Sequence, residues 1–284
     1  MNDNPLVRQR MFTQGEVYAE TPFAVIKVSG DDRLTWLNSL FSQKLDELTA
    51  GESVETLSLD AQGRIQQIIR IIVTDDSLLL ITHESVLDEL HEYLLKMRFR
   101  KIVEVNKLPF LVVASYEKPI SDLYWKDSWP EVRIGGYRYG TRNISYPLFL
   151  NLFETEPKDL IDYQSIEPLR IFAGRASETE VDEKTLPHEL DLLTSAVHLQ
   201  KGCYRGQEAV AKVHKLGHPP RRLTMLYLED GTDLPEIGDE LFVGERSVGK
   251  ITATGNHYEA GPIALALIKR NIDPSAELRF ANGM

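Results

Sequence analysis

The chain of 284 residues contains one cysteine, Cys203. A lone thiol excludes an internal disulfide, and it excludes a zinc or iron–sulfur site built from several thiolates of one chain. It fits a reducing compartment. Long apolar runs are also missing. Nothing approaches the ~18 uninterrupted apolar residues of a membrane helix, and the most apolar stretch, Ile65 to Val73, is broken by Gln66, Gln67 and Arg70. Met1 to Met11 is polar with interspersed arginines and lacks the apolar core of a secretory signal. The expected setting is the cytoplasm, with no membrane partner. Cations are outnumbered 32 to 43, for a net charge of −11. That balance argues against direct, non-specific nucleic-acid binding. The hydrophobic fraction is an ordinary 42%, enough to bury sizeable cores, and the length suggests two domains at roughly 150 residues each.

Periodicity gives the organisation. Pro22 to Val28 reads as a strand, and Ser29-Gly30-Asp31-Asp32 then opens a helix with Leu34, Leu37, Leu40, Phe41, Leu45 and Leu48 on one face. Val54 to Leu59 and Arg64 to Val73 read as strands joined by the turn Asp60-Ala61-Gln62-Gly63, followed by a strand over Leu78 to Thr82. Glu84 to Phe99 is predicted as an amphipathic helix, with strands near Ile102 to Val105 and Pro109 to Ser115 after it. Between Ser121 and Asn151 the pattern is weak, and Asp122, Asp127 and Glu131 beside Trp125 and Trp129 read as an exposed loop. Asp159 to Ala173 is predicted helical, kinked or restarted at Pro168 and stopped by Gly174. After residue 218 come short strands separated by turn signals, at Glu229-Asp230-Gly231 among others. They suggest a small antiparallel sheet or barrel, so the expected domains are residues 1–217 and 218–284.

Chemistry concentrates in residues 198 to 222, which hold Lys201, Arg205, Lys212, Lys215, Arg221 and Arg222 against one carboxylate, Glu208. A solvated charged face is the plain explanation of such a run. The glycines and the cysteine point further. Ala209, Val210, Val213 and Leu216 share a helical face, the helix should begin near Gly206, and Gly217 suits its C-terminal stop. Cys203 then precedes a helix N-terminus, with Lys201 and Arg205 two residues to either side, a setting that favours a reactive thiolate over a buried structural cysteine. Gly202 and Gly206 permit close backbone approach to a carboxylate or phosphate. His188, Glu189 and Asp191 match no common metal-ligand spacing, so no metal site is expected, and no Gly-x-Ser-x-Gly element suggests a serine nucleophile.

Lys201-Gly202-Cys203-Tyr204-Arg205-Gly206-Gln207-Glu208 resembles the signature of the YgfZ family, folate-binding proteins that support iron–sulfur enzymes and are related to the glycine-cleavage aminomethyltransferase, or T-protein. The resemblance extends along the chain. Gly30 to Leu37 is similar to the family's opening helix, Asp60 to Arg64 to its folate-side turn, Leu169 to Gly174 to its central helix, and Pro187-His188-Glu189 to its Pro-x-Glu element. It implies an α+β fold, with a T-protein-like body of subdomains around a central folate pocket and a C-terminal antiparallel β-barrel. It implies tetrahydrofolate as ligand and Arg170 as a folate contact, whose guanidinium can hold a carboxylate in a bidentate manner. Further contacts implied are Asp60, Gln62 and Arg64, together with Gly202, Tyr204, Arg205, Gly206, Gln207 and Glu208. Cys203, with Lys201 beside it, is the implied reactive group, facing the mouth of the cavity that Arg170 lines.

The sequence also departs from the transferase. The catalytic acid–base carboxylate of the aminomethyltransferase falls, by position, at Gln67, and an amide cannot exchange a proton at neutral pH. The transferase's Gly-Tyr-Thr-Gly-Glu element reads Gly136-Tyr137-Arg138-Tyr139-Gly140, without the acid. The resemblance therefore implies an accessory protein for assembling or repairing iron–sulfur clusters in client enzymes, including tRNA-modifying ones, with those enzymes or cluster carriers as partners. The competing expectation is a tetrahydrofolate-dependent one-carbon transferase.

Overall fold

The structure, a computed structural model, describes residues 4–229 and 233–280. The first three residues of the polar N-terminal stretch, and the Asp230-Gly231 end of one turn signal, lie outside the described residues. In chain order the elements begin with α1 (Pro5–Thr13), β1 (Tyr18–Glu20), β2 (Phe23–Ser29), α2 (Arg33–Leu40), β3 (Ser53–Leu59), β4 (Ile65–Val73) and β5 (Ser77–His83). They continue with α3 (Leu87–Met97), β6 (Glu104–Leu108), β7 (Leu111–Tyr116), β8 (Tyr124–Lys126), β9 (Leu148–Phe153), β10 (Leu160–Asp162) and α4 (Glu167–Ala173). The last are α5 (Gln207–Leu216), β11 (Arg221–Tyr227), β12 (Glu240–Val243), β13 (Arg246–His257), β14 (Gly261–Lys269) and β15 (Arg279–Phe280).

Three five-stranded sheets result, ordered β3-β4-β5-β2-β6, β10-β1-β7-β9-β8 and β11-β14-β13-β12-β15. The first is antiparallel throughout. Its strand β4 is nearly all apolar because both faces are covered, the condition under which alternation disappears. Ile69, Ile71 and Val73 pack with Trp36 and Leu37 of α2 and Leu90 and Leu94 of α3, while Ile72 packs with Ala114, Trp125 and Leu150 of the second sheet. That second sheet is antiparallel except for the parallel β1–β10 pair.

Four expectations are corrected. The opening helix stops at Leu40, where Phe41 turns extended; Phe41 and Leu45 are still buried, but on irregular backbone, and Asn38 Oδ1 accepts the Leu45 N–H. The segment Asp159 to Ala173 is not one helix but β10, a single 3-10 turn and α4, because Pro168 sits in the first turn of α4 and opens it. Asp127, expected on an exposed loop with Asp122 and Glu131, is buried between Trp125 and Trp129, while the other two are exposed. The C-terminal strands form an antiparallel sheet running from β11 at one edge to β15 at the other, without closure into a barrel among the described residues.

This third sheet shares its core with the chain before residue 218. Ile171 of α4 packs with Ala253, Ile263 and Leu265, and Leu267 packs with Leu57 and Leu59. The N-terminal helix is tied to the same sheet, since Gln9 donates to the Asn256 carbonyl and accepts the Tyr258 N–H. No helix among the described residues is long and apolar enough to cross a membrane.

Candidate functional site

The cysteine loop is built by two interlocked turns. Asp60 Oδ1 accepts the N–H groups of Gln62 and Arg64, both at 2.8 Å, and this closes the hairpin from β3 to β4. Gly63 lies there with φ +76°, and an added Cβ would stand 3.0 Å from the Ala209 Cβ. Opposite it, Gly206 begins α5 with φ +83°, and a Cβ there would stand 2.5 Å from the Asp60 carbonyl oxygen and 3.0 Å from the Gly63 Cα. Two segments about 140 residues apart in sequence thus touch backbone to backbone, which a side chain at either glycine would prevent. Helix α5 runs from Gln207 to Leu216 with Gly217 in the left-handed conformation, as the spacing predicts.

Lys201 and Cys203 go to opposite environments. The Lys201 ammonium is buried and donates to the carbonyls of Asn38, Phe41 and Gln43 at 2.5, 2.7 and 2.8 Å. It closes off the C-terminal end of α2, where carbonyls lack helical partners. Burial pulls its pKa down to about 8. All three ammonium donors are occupied, so Lys201 positions the loop and has no proton donor free toward the thiol. Gln207 Nε2 donates to the Lys201 carbonyl and Tyr204 is buried beneath the loop, its hydroxyl held above the ordinary pKa by burial. Gly202, Cys203, Arg205 and Glu208 are exposed, as is Gln62 on the facing turn. Arg205 stands near Tyr93 of α3, where its charge offsets part of the rise that burial gives the Tyr93 pKa.

A cavity of about 460 Å³ lies where the three sheets meet, within the ~300–1,000 Å³ range of small-molecule sites. Phe23, Gln67 and Ile68 come from the first sheet, Tyr163 and Glu167 follow β10, and Ala253 and Thr254 belong to β13. Glu178 also lines it and is bound by Arg70 at 2.6 Å. Burial opposes the Glu178 charge, but the Arg70 charge and hydrogen bond outweigh it and hold the carboxyl below its ordinary pKa. Gln67 is buried at 6% exposure, and its side-chain amide makes no hydrogen bond among the described residues. The amide is not among the fully buried polar atoms that lack a partner, so it is open to the cavity and available to whatever fills it.

Arg170 stands behind this wall, with 2% exposure. Its Nε and Nη2 donate to Glu167, its Nη1 to the Arg175 carbonyl and Glu180, and its Nη2 also to Thr179. The whole guanidinium is engaged inside the chain and has no donor left for a ligand carboxylate in this arrangement. Its partners Glu167 and Thr179, not Arg170 itself, line the cavity. Cys203 lines neither of the two described cavities. It connects to the central one through structure: Gly206 touches the turn of Asp60 to Gly63, and the strand leaving that turn carries Gln66, Gln67 and Ile68 to the cavity wall. The sequence did not identify Glu178, Tyr163 or Thr179 as lining residues. For Glu178 and Thr179 the sequence signal is the capping box in which Ser177 and Glu180 cap the 3-10 turn Glu178–Glu180.

The arrangement has the fold of the glycine-cleavage aminomethyltransferases. The aminomethyltransferase T of Bartonella henselae superposes with a TM-score of 0.70 over 93% of this chain and 81% of its own, at 15% sequence identity. No family model matches the chain. The tRNA-modifying protein YgfZ of Vibrio atlanticus is 24% identical over 91% of this chain and 85% of its own length, and that of Yersinia enterocolitica 22% identical over 84% and 80%. A putative chloroplastic transferase of Arabidopsis thaliana is 26% identical over 91% of this chain, which spans 66% of that relative's length. In sequence the chain resembles the YgfZ proteins, and in fold the aminomethyltransferases.

Proposed function

We propose that the protein is a folate-binding accessory protein that supports iron–sulfur enzymes, among them tRNA-modifying ones, and that it works through the exposed thiol of Cys203. The observation that carries the folate reading is the unpartnered Gln67 amide in the central cavity. An amide offers one acceptor and two donors, the complement of a reduced pterin's amide-like edge. Glu167 and Glu178 supply acceptors for its amino and ring N–H groups. The lining holds no lysine or arginine, so the anionic glutamate tail belongs outside, toward the basic segment of residues 198 to 222. The same Gln67 disfavours the one-carbon transferase, because an amide leaves the site without the proton-transferring carboxylate. Bound tetrahydrofolate would supply one-carbon or redox chemistry, and this chain's residues would hold and orient it.

For Cys203, the supporting features are exposure and a loop anchored from within by Lys201 and Gln207. A single thiolate cannot hold a four-thiolate cluster, so contact with a client's cluster or with a carrier is shared and transient. The test is calorimetric titration with tetrahydrofolate, paired with complementation in a bacterium lacking its own relative. Gln67→Ala should weaken folate about tenfold, the worth of one or two hydrogen bonds. Cys203→Ser should bind folate within twofold of the wild type and fail to restore cluster-dependent enzymes. Absence of saturable folate binding refutes the ligand, and full complementation by Cys203→Ser refutes the thiol.

A further inference from the structure

A second and larger cavity, about 950 Å³, opens between the body and the C-terminal sheet. Part of its wall is aliphatic, with Leu226, Leu241, Ile268 and Leu278. The wall also carries Trp129, Tyr139 and His188, with three half-buried arginines, Arg142, Arg222 and Arg270. The lining holds five carboxylates and four arginines, but among the described residues only Glu277 and Arg279 pair with each other. Each carboxylate of the lining is occupied: Glu189 by Arg221, Asp191 by the N–H groups of Tyr139 and Gly140, Asp273 by Ser275, Glu277 by Arg279, and Glu229 is also partnered. None of the three arginines is ion-paired among the described residues. Arg142 donates to the Phe172 carbonyl, and Arg222 to those of Arg270 and Ile272. The Arg270 guanidinium lies 6.0 Å from the centre of the Tyr139 ring and makes no hydrogen bond among the described residues.

Two further polar atoms in residues lining this cavity are orphaned. His188 is 2% exposed, its Nε2 faces the Val210 carbonyl at 3.1 Å, and its Nδ1 has no partner. Thr224 Oγ1 is likewise buried and unpaired. Buried polar atoms are normally satisfied, and guanidinium groups without carboxylates favour an oxyanion. We propose that this cavity is a binding site for an amphipathic anion, an aliphatic chain bearing a carboxylate or phosphate, with the chain on the leucine and isoleucine wall and the head at Arg270, Arg222 and Arg142. It is separate from the central cavity, with which it shares no lining residue.

The test is displacement of the fluorescent sulfonate 1-anilinonaphthalene-8-sulfonate from the full chain. Dodecanoate and dodecyl phosphate should displace it saturably, whichever binds tighter naming the head group, while neutral dodecan-1-ol should be at least tenfold weaker. Arg270→Glu should weaken the anions by tenfold or more, and Arg270→Gln by less. Leu226→Trp, which takes up space along the aliphatic wall, should block them while leaving tetrahydrofolate affinity unchanged. Equal displacement by the alcohol, wild-type anion affinity in Arg270→Glu, or displacement of the probe by tetrahydrofolate would each overturn the assignment. The last outcome would also separate it from the folate reading, which rests on Gln67.

Discussion

Gly206 and Gly202 lie four residues apart in one loop, and alanine should have opposite effects at the two. At Gly206 the backbone is left-handed, φ +83°, and an L side chain there costs about 1–2 kcal/mol. The new Cβ would also meet the Asp60 carbonyl oxygen at 2.5 Å and the Gly63 Cα at 3.0 Å. Both are backbone atoms, so one turn must move, an overpacking cost of about 1–3 kcal/mol. Gly206→Ala should therefore lose about 2–5 kcal/mol, or roughly 5–15 °C of melting temperature at a few degrees per kcal/mol for a chain of this size. At Gly202 nothing lies within 4 Å of an added Cβ and φ is outside the left-handed region. Gly202→Ala should stay within about 0.5 kcal/mol of the wild type or exceed it, because the unfolded chain loses freedom. Urea denaturation with equal m-values gives the two differences directly. If Gly206→Ala costs no more than Gly202→Ala, the interlock between the cysteine loop and the Asp60 turn does not exist in solution.

Three further outcomes follow from buried groups. Burial lowers the His188 pKa to about 4, so between its ordinary value near 6.5 and 4 the unfolded state binds the extra proton, and stability attributable to His188 falls as pH falls through that window. The full effect is about 3 kcal/mol, and His188→Gln should lose less stability than wild type on going from pH 7 to 4 in chemical denaturation. Arg175 bridges buried Glu55 at 2.6 Å and buried Asp127 at 3.0 Å. Arg175→Met strands two carboxylates and should cost about 3–5 kcal/mol in thermal melts, and a loss under 1 kcal/mol would show that they protonate or rehydrate freely. Lys201→Met leaves the carbonyls at the end of α2 unpaired and should cost about 2–4 kcal/mol, while Cys203→Ser on the exposed loop should stay within about 0.5 kcal/mol. Equal losses in the two would contradict the division of labour between anchor and thiol.

Local chemistry was legible where local residues decide it. Gly206 and Gly217 bracket α5 because each supplies a left-handed residue at a helix end, and Gly63 closes a hairpin for the same reason. Ser121 to Asn151 was not legible, because its partners are distant. Asp127 among aromatic residues looks like a solvated loop until Arg175, 48 residues on, neutralises it and the Trp125 indole N–H reaches the Val54 carbonyl. The opening helix ended early for a similar reason: Ser42 Oγ, which donates to the Ala196 carbonyl, and Lys201, which binds those of Asn38, Phe41 and Gln43, accommodate the backbone that more helical turns would have paired internally.

The same logic separates the candidate site residues. Arg170, Lys201 and Asp60 each carry the side chain expected of a ligand contact or catalyst, yet Arg170 and Lys201 are matched donor for donor by partners inside the chain, and Asp60 spends Oδ1 on its own turn. A buried cation must find such partners to be tolerated at all, and a sequence motif cannot reveal whether they come from the protein or from a ligand. Subtracting the internally satisfied groups leaves unmet capacity at the cavities and the cysteine loop: the Gln67 amide in the central cavity, the exposed Cys203 thiol, and Arg270 with His188 Nδ1 and Thr224 Oγ1 around the second cavity. Binding should follow that remainder rather than the density of charge along the chain. Arg170→Gln should therefore act on folate only through displacement of Glu167, with a smaller loss of affinity than Gln67→Ala once stability is matched.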